Sequence, residues 1–150
     1  MQKKHILVEI AIYLIALLWL YTGVYKILQI NYSIDQLRES PLISDFALVL
    51  GYGLPILELA LFALLLFDRT RTTALWGSGI LLILFTLYIV IGLVFFRRDM
   101  PCTCGGIISH LTWQNHIYFN LCFIFLSFFS LYQWKQANRN TGTKHILSVT

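Results

Sequence analysis

Four stretches of about twenty mainly apolar residues constrain this chain most, because an α-helix rising about 1.5 Å per residue needs that length to cross a hydrocarbon layer of about 30 Å. They run from Val8 to Leu28, Phe46 to Phe67, Thr73 to Phe96 and Thr112 to Trp134. The other architecture that crosses a bilayer is a closed barrel, whose strands alternate apolar and polar residues. Leu61 to Phe67 and Gly79 to Phe96 show no such alternation. Apolar residues make up 58% of the chain and charged residues 12%, with a mean hydropathy of +0.73. That is too little polar surface to coat a water-facing globule. The sequence predicts an all-α polytopic membrane protein, a single four-transmembrane-helix bundle over residues 1–150 with a polar, frayed tail at 135–150.

The segments between the spans sharpen this reading. The basic head Met1-Gln2-Lys3-Lys4-His5 looks like the start of a signal peptide. The apolar region behind it is longer than such a peptide's core, however, and leads into Thr22-Gly23-Val24-Tyr25-Lys26 with no Ala-x-Ala type site. A retained first helix is expected. From Gln29 to Asp45, Ile34, Leu37 and Leu42 alternate with Asp35, Gln36, Arg38 and Glu39, the pattern of a short amphipathic helix at the interface. Pro55 removes a backbone donor and should loosen or kink the first half of the second span. Asp68 to Thr72 is a connection so short that the spans it joins must be antiparallel neighbours. Trp113 and Trp134 flank the fourth span as interfacial anchors do.

The formal charge of +4 comes from basic residues scattered at segment ends rather than gathered in a run, so nucleic acid is not an expected partner. Their distribution is better read as topology. With four spans both termini share one side, together with Lys3, Lys4, Arg69, Arg71, Lys135, Arg139 and Lys144; the opposite side has only Lys26, Arg38, Arg97 and Arg98. The positive-inside rule then places both termini in the cytoplasm and the loop around Cys102 outside it.

That loop contains Pro101-Cys102-Thr103-Cys104-Gly105-Gly106, the sharpest chemical signal in the chain. Outside the cytoplasm thiols tend to oxidise, so paired cysteines there point to a disulfide or a redox couple. A bridge across one intervening residue closes a small ring that fits relaxed disulfide geometry poorly, and a strained bond is more easily reduced. Arg97, Arg98 and the start of the fourth helix favour thiolate on these cysteines. A static loop staple is the plainer alternative. Metal would need further ligands, for which only His110 and His116 are near, so no metal site is expected. Cys122, well inside the fourth span, reads as a small buried hydrophobe.

Glu58 is the other outlier, because a carboxylate among Leu57, Leu59, Ala60 and Leu61 is costly in a membrane and is normally paired or functional. Lys26, near the outer end of the first span, is its nearest counter-ion. The pair reads either as a structural salt bridge or as a site of proton transfer or quinone headgroup contact, with Trp113 and His116 as further contacts for such a headgroup. Asn115 and Asn120 supply hydrogen bonding on the fourth helix, suited to helix packing. Glu9 reads as interfacial.

Three blocks resemble the DoxX-like membrane proteins, in particular the branch named after the methylamine utilisation protein MauE: Tyr21 to Lys26, Pro55-Ile56-Leu57-Glu58, and Pro101 to Gly106 followed by Trp113 and Asn120. The resemblance runs from about residue 8 to 134. It implies a four-helix bundle in the bacterial inner membrane that makes or maintains disulfides in periplasmic partners alongside thioredoxin-like proteins. Thr103 and Gly105 stand where the usual block reads Cys-Gly-Cys-Phe-Gly. Other DoxX-like proteins are subunits of oxidoreductases that pass electrons to quinone. The architecture is also similar to the vitamin K epoxide reductase class, although those enzymes carry a Cys-x-x-Cys pair and further loop cysteines.

Two functions of different classes follow. The first is a thiol-disulfide redox protein in which Cys102 and Cys104 exchange with an extracytoplasmic or membrane partner, electrons passing toward a quinone or other carrier near Glu58. The second is a non-catalytic subunit or scaffold of a larger envelope complex. A solute transporter fits less well, with one intramembrane carboxylate and no inverted repeat.

Overall fold

The computed structural model describes residues 2–40, 42–95 and 113–147, and side chains over 6–40, 42–95 and 115–136. The chain forms helices α1 (Gln2–Leu28), α2 (Ile30–Glu39), α3 (Ala47–Leu66), α4 (Arg71–Phe95) and α5 (Trp113–Leu147), with a 3-10 turn at Ser44–Phe46 before α3. Four stretches are long and apolar enough to cross a membrane: Ile6–Leu28, Ser44–Leu66, Arg71–Phe95 and Asn115–Gln136. The protein is therefore an all-α multi-pass membrane protein.

Contacts between the ends of the helices give the topology. Glu9 near the start of α1 pairs with Arg71 at the start of α4, and Arg71 also reaches Leu65 near the end of α3 and Trp134 of α5. Lys26 near the end of α1 meets Glu58 of α3 at the opposite end. Neighbouring spans therefore alternate in direction. Helix α1 packs on α3 and α5, and α4 packs on α3 and α5, closing a four-membered ring.

Ile12, Ile15, Trp19, Leu65, Leu75 and Leu82 fill the centre of this ring. The Trp19 Nε1 donates to Ser78 Oγ at 2.8 Å, tying α1 to α4 across the bundle. The outward faces expose Leu17, Val49, Ile56, Leu84 and Phe125, as lipid-facing surfaces do in a protein whose solvent on those sides is hydrocarbon.

The amphipathic segment forms as the pattern of its residues predicts. In α2, Ser33, Ile34 and Leu37 are buried, while Asp35 and Arg38 form an exposed pair at 3.6 Å. Just beyond α2, the Ser40 hydroxyl shares a hydrogen bond of 2.8 Å with that of Tyr88 on α4.

Helix α3 runs unbroken through Pro55, its packing against both α1 and α2 outweighing one missing hydrogen bond. Two features differ from expectation. Helix α5 runs on through polar residues to Leu147 instead of fraying at Lys135; no proline interrupts it, and Lys135, Gln136, Ala137, Arg139 and Lys144 favour helix against Asn138, Asn140 and Gly142, which do not. Cys122 is exposed on the outer face of α5, not buried.

Candidate functional site

Trp19, Thr22 and Lys26 recur at intervals of three and four, which places them on one face of α1; His116 and Asn120, four apart, share a face of α5. The structure turns both faces inward. With Glu58 of α3 and Leu82 and Phe85 of α4, these residues line a cavity of about 30 Å³ inside the ring. That volume holds one or two water molecules.

The polar groups around it are deeply buried. Glu58 is 0% exposed, His116 2%, Asn120 5% and Lys26 6%. The Lys26 ammonium donates to Glu58 Oε1, and it also lies 5.1 Å from the centre of the Phe85 ring, whose face attracts a cation. Gly23 lies against the pair. A Cβ there would sit 3.0 Å from Leu59 and 3.4 Å from the Glu58 Cβ, so the missing side chain lets α1 and α3 approach until Lys26 can reach across. The Thr22 hydroxyl is turned back onto its own helix, donating to Leu18 O at 3.0 Å. Glu58 Oε2, His116 Nδ1 and Asn120 Nδ2 are enclosed without a hydrogen-bond partner among the described residues.

A second charge cluster, built around the buried Arg71, closes the opposite end of the bundle. Arg71 donates to Glu9 Oε1 at 2.8 Å and to the Leu65 carbonyl at 3.2 Å, pairs with Asp68 at 2.9 Å, and stacks 4.8 Å from the Trp134 ring. A planar guanidinium satisfies these acceptors and an aromatic face at once, which an ammonium does less well. Sequence reasoning counted Arg71 only toward topology and took Glu9 as interfacial. Asn120 was assigned to packing. The signal for it was its spacing from His116, one turn away on the same helix face.

The residues singled out from sequence thus fall into two groups. Lys26, Glu58 and His116 come together around one cavity. Cys102, Cys104 and His110 lie outside the described residues, as does the Trp113 side chain, although Trp113 itself opens α5. The connection carrying both cysteines leaves α4 after Phe95 and enters α5 at Trp113, so both its attachments lie at the bundle end nearer Lys26.

A quinone headgroup is the cofactor class this site was expected to suit. Lys26, His116 and Asn120 are the right kind of groups for a carbonyl oxygen. About 30 Å³ of space lies between these groups, in a pocket that is half open rather than closed.

Residues 4–133 match the family model described as Methylamine utilisation protein MauE. No curated protein and no solved structure gives a significant match.

Proposed function

The chain belongs to the MauE family, and from that premise we propose that it is a thiol-disulfide redox subunit of the bacterial inner membrane, with Cys102 and Cys104 facing an extracytoplasmic partner protein. Both termini are cytoplasmic in this reading, as the distribution of Lys and Arg favours. Kinship with the wider DoxX-like proteins is part of the proposal.

The step is ordinary exchange. A thiolate of the partner attacks one sulfur of the Cys102–Cys104 disulfide, that bond breaks, and a mixed disulfide forms while the other cysteine leaves as thiolate. The partner's second thiolate then attacks its own mixed-disulfide sulfur. The partner departs oxidised, and the pair retains two electrons and two protons. A more oxidising disulfide on a second extracytoplasmic protein takes both from the pair by the same chemistry, restoring the bridge.

The observation that carries this reading is the Cys-x-Cys spacing itself, in a family of membrane proteins and on the connection between α4 and α5. A bridge over one residue is strained, hence easily reduced, and suits a donor of oxidising equivalents better than a permanent staple. Membranes from cells carrying the Cys102→Ser, Cys104→Ser variant should accumulate the partner with free, alkylatable thiols. Full partner oxidation by this variant would overturn the proposal.

The family and the four spans equally support an accessory membrane subunit that holds a complex together. Purification in native detergent separates the two. A scaffold alone copurifies stoichiometrically with a partner whose thiols are oxidised whether or not Cys102 and Cys104 are present.

A further inference from the structure

We propose that the cavity among Lys26, Glu58, His116 and Asn120 holds a pair of internal waters and is a proton-exchange site within the membrane whose chemistry does not depend on that of the cysteines. Three enclosed polar atoms on two helices, Glu58 Oε2, His116 Nδ1 and Asn120 Nδ2, have no hydrogen-bond partner among the described residues. All three side chains line the same space, whose walls are otherwise mostly apolar. Buried polar atoms in native proteins are satisfied by protein or by ordered water, and a space this size bordered by such atoms accepts water.

The groups complement one another around that water. Asn120 Nδ2 can only donate and a Glu58 carboxylate oxygen can only accept, so a water between them accepts from the first and donates to the second. An imidazole nitrogen does either, according to where its proton sits. A carboxylate and an imidazole joined by one or two waters form a short chain along which a proton moves by exchanging hydrogen bonds for covalent ones: the imidazolium N–H breaks as its proton bonds to the water, and an O–H of the water breaks as that proton bonds to the carboxylate. No charge is created in the transfer from imidazolium to carboxylate. It converts a buried ion to a neutral group at each end.

What faces the cavity from each helix decides where a proton can reside. Helix α1 offers Lys26, with Thr22 and Trp19 already hydrogen bonded to Leu18 and Ser78. Helix α3 offers Glu58, α4 only Leu82 and Phe85, and α5 His116 and Asn120. Lys26 holds one carboxylate oxygen and leaves the other toward the waters. Protonation of Glu58 would loosen that ion pair, so the site couples proton occupancy to the contact between α1 and α3. The same lysine makes a metal cation an unsuitable occupant.

Infrared difference spectra of the full chain in phosphatidylcholine vesicles, recorded against pH in H₂O and D₂O, test this. A carboxylic C=O band should appear on acidification, shift in D₂O, and vanish in Glu58→Gln. Its midpoint should move in His116→Gln and in Asn120→Leu, which fills the water space, and should stay in place in the Cys102→Ser, Cys104→Ser variant. A band that titrates identically in His116→Gln and Asn120→Leu, or that persists in Glu58→Gln, overturns the proposal. Should the variants fail to fold, water-edited solid-state NMR of the unaltered, ¹⁵N-histidine-labelled protein decides. Rapid magnetisation transfer from water to the His116 ring supports the site, and a dry ring refutes it.

Discussion

At the scale of single residues, the Lys26–Glu58 pair is the most exacting arrangement in the molecule. Both side chains are buried, so either charge left alone lacks its counter-ion. Lys26→Met should therefore destabilise the bundle by about 3–5 kcal/mol, whereas Lys26→Met with Glu58→Leu should recover most of that loss, because an apolar pair of similar volume has no desolvation cost. Unfolding midpoints in mixed detergent micelles measure both. The pair itself was legible in the sequence, since a carboxylate within an apolar run demands a partner and Lys26 was the nearest cation. The surroundings were less so. Nothing in one sequence says which helix a given face of α5 meets, although His116, Asn120, Ser127 and Ser130, at intervals of four, seven and three, do mark one face of it. Arg71 illustrates the same limit, as its partners Glu9 and Trp134 are distant in sequence and became visible only once three helix ends converged.

At the scale of elements, the four spans follow from length and hydropathy alone, and α2 from its short amphipathic pattern. Their pairing does not, because lipid gives no hydrophobic reason for one apolar helix to prefer another and the decision passes to close packing. Helices α4 and α5 show how. A Cβ on Gly79 would lie 2.9 Å from Phe128 Cζ, so this glycine is the notch that receives an aromatic ring. Gly79→Leu should force the two helices apart and destabilise the protein by roughly 1–3 kcal/mol, while Gly53→Leu, where nothing lies within 4 Å of the added carbon, should be nearly neutral. Thermal aggregation of the detergent-solubilised variants distinguishes them. Cys122 was misjudged for a related reason: position along a span gives depth in the membrane, whereas burial depends on rotation about the helix axis.

For the whole molecule, the described bundle divides into two ends with different chemistry, a cavity bordered by buried polar groups at the end where α4 stops and α5 begins, and an arginine-centred cluster at the opposite end. Thiol labelling of intact cells reads out how this body lies in the membrane. A charged, impermeant maleimide added after reduction should modify Cys102 and Cys104 from outside, and Cys122, exposed on the apolar face of α5, should react only with a lipid-soluble reagent. Protection of Cys102 and Cys104 in cells together with labelling in inverted vesicles would reverse the orientation proposed above. The arginine cluster also has a consequence for the order in which the molecule is made. A ribosome releases α1, α3 and α4 before α5, so Glu9 and Arg71 can meet early, but the guanidinium lacks its indole cover until Trp134 emerges. The nascent protein is then a three-stave barrel with an open seam. Chains arrested after Phe95 should be degraded by membrane proteases much faster than chains arrested beyond Trp134, as pulse-chase labelling would show.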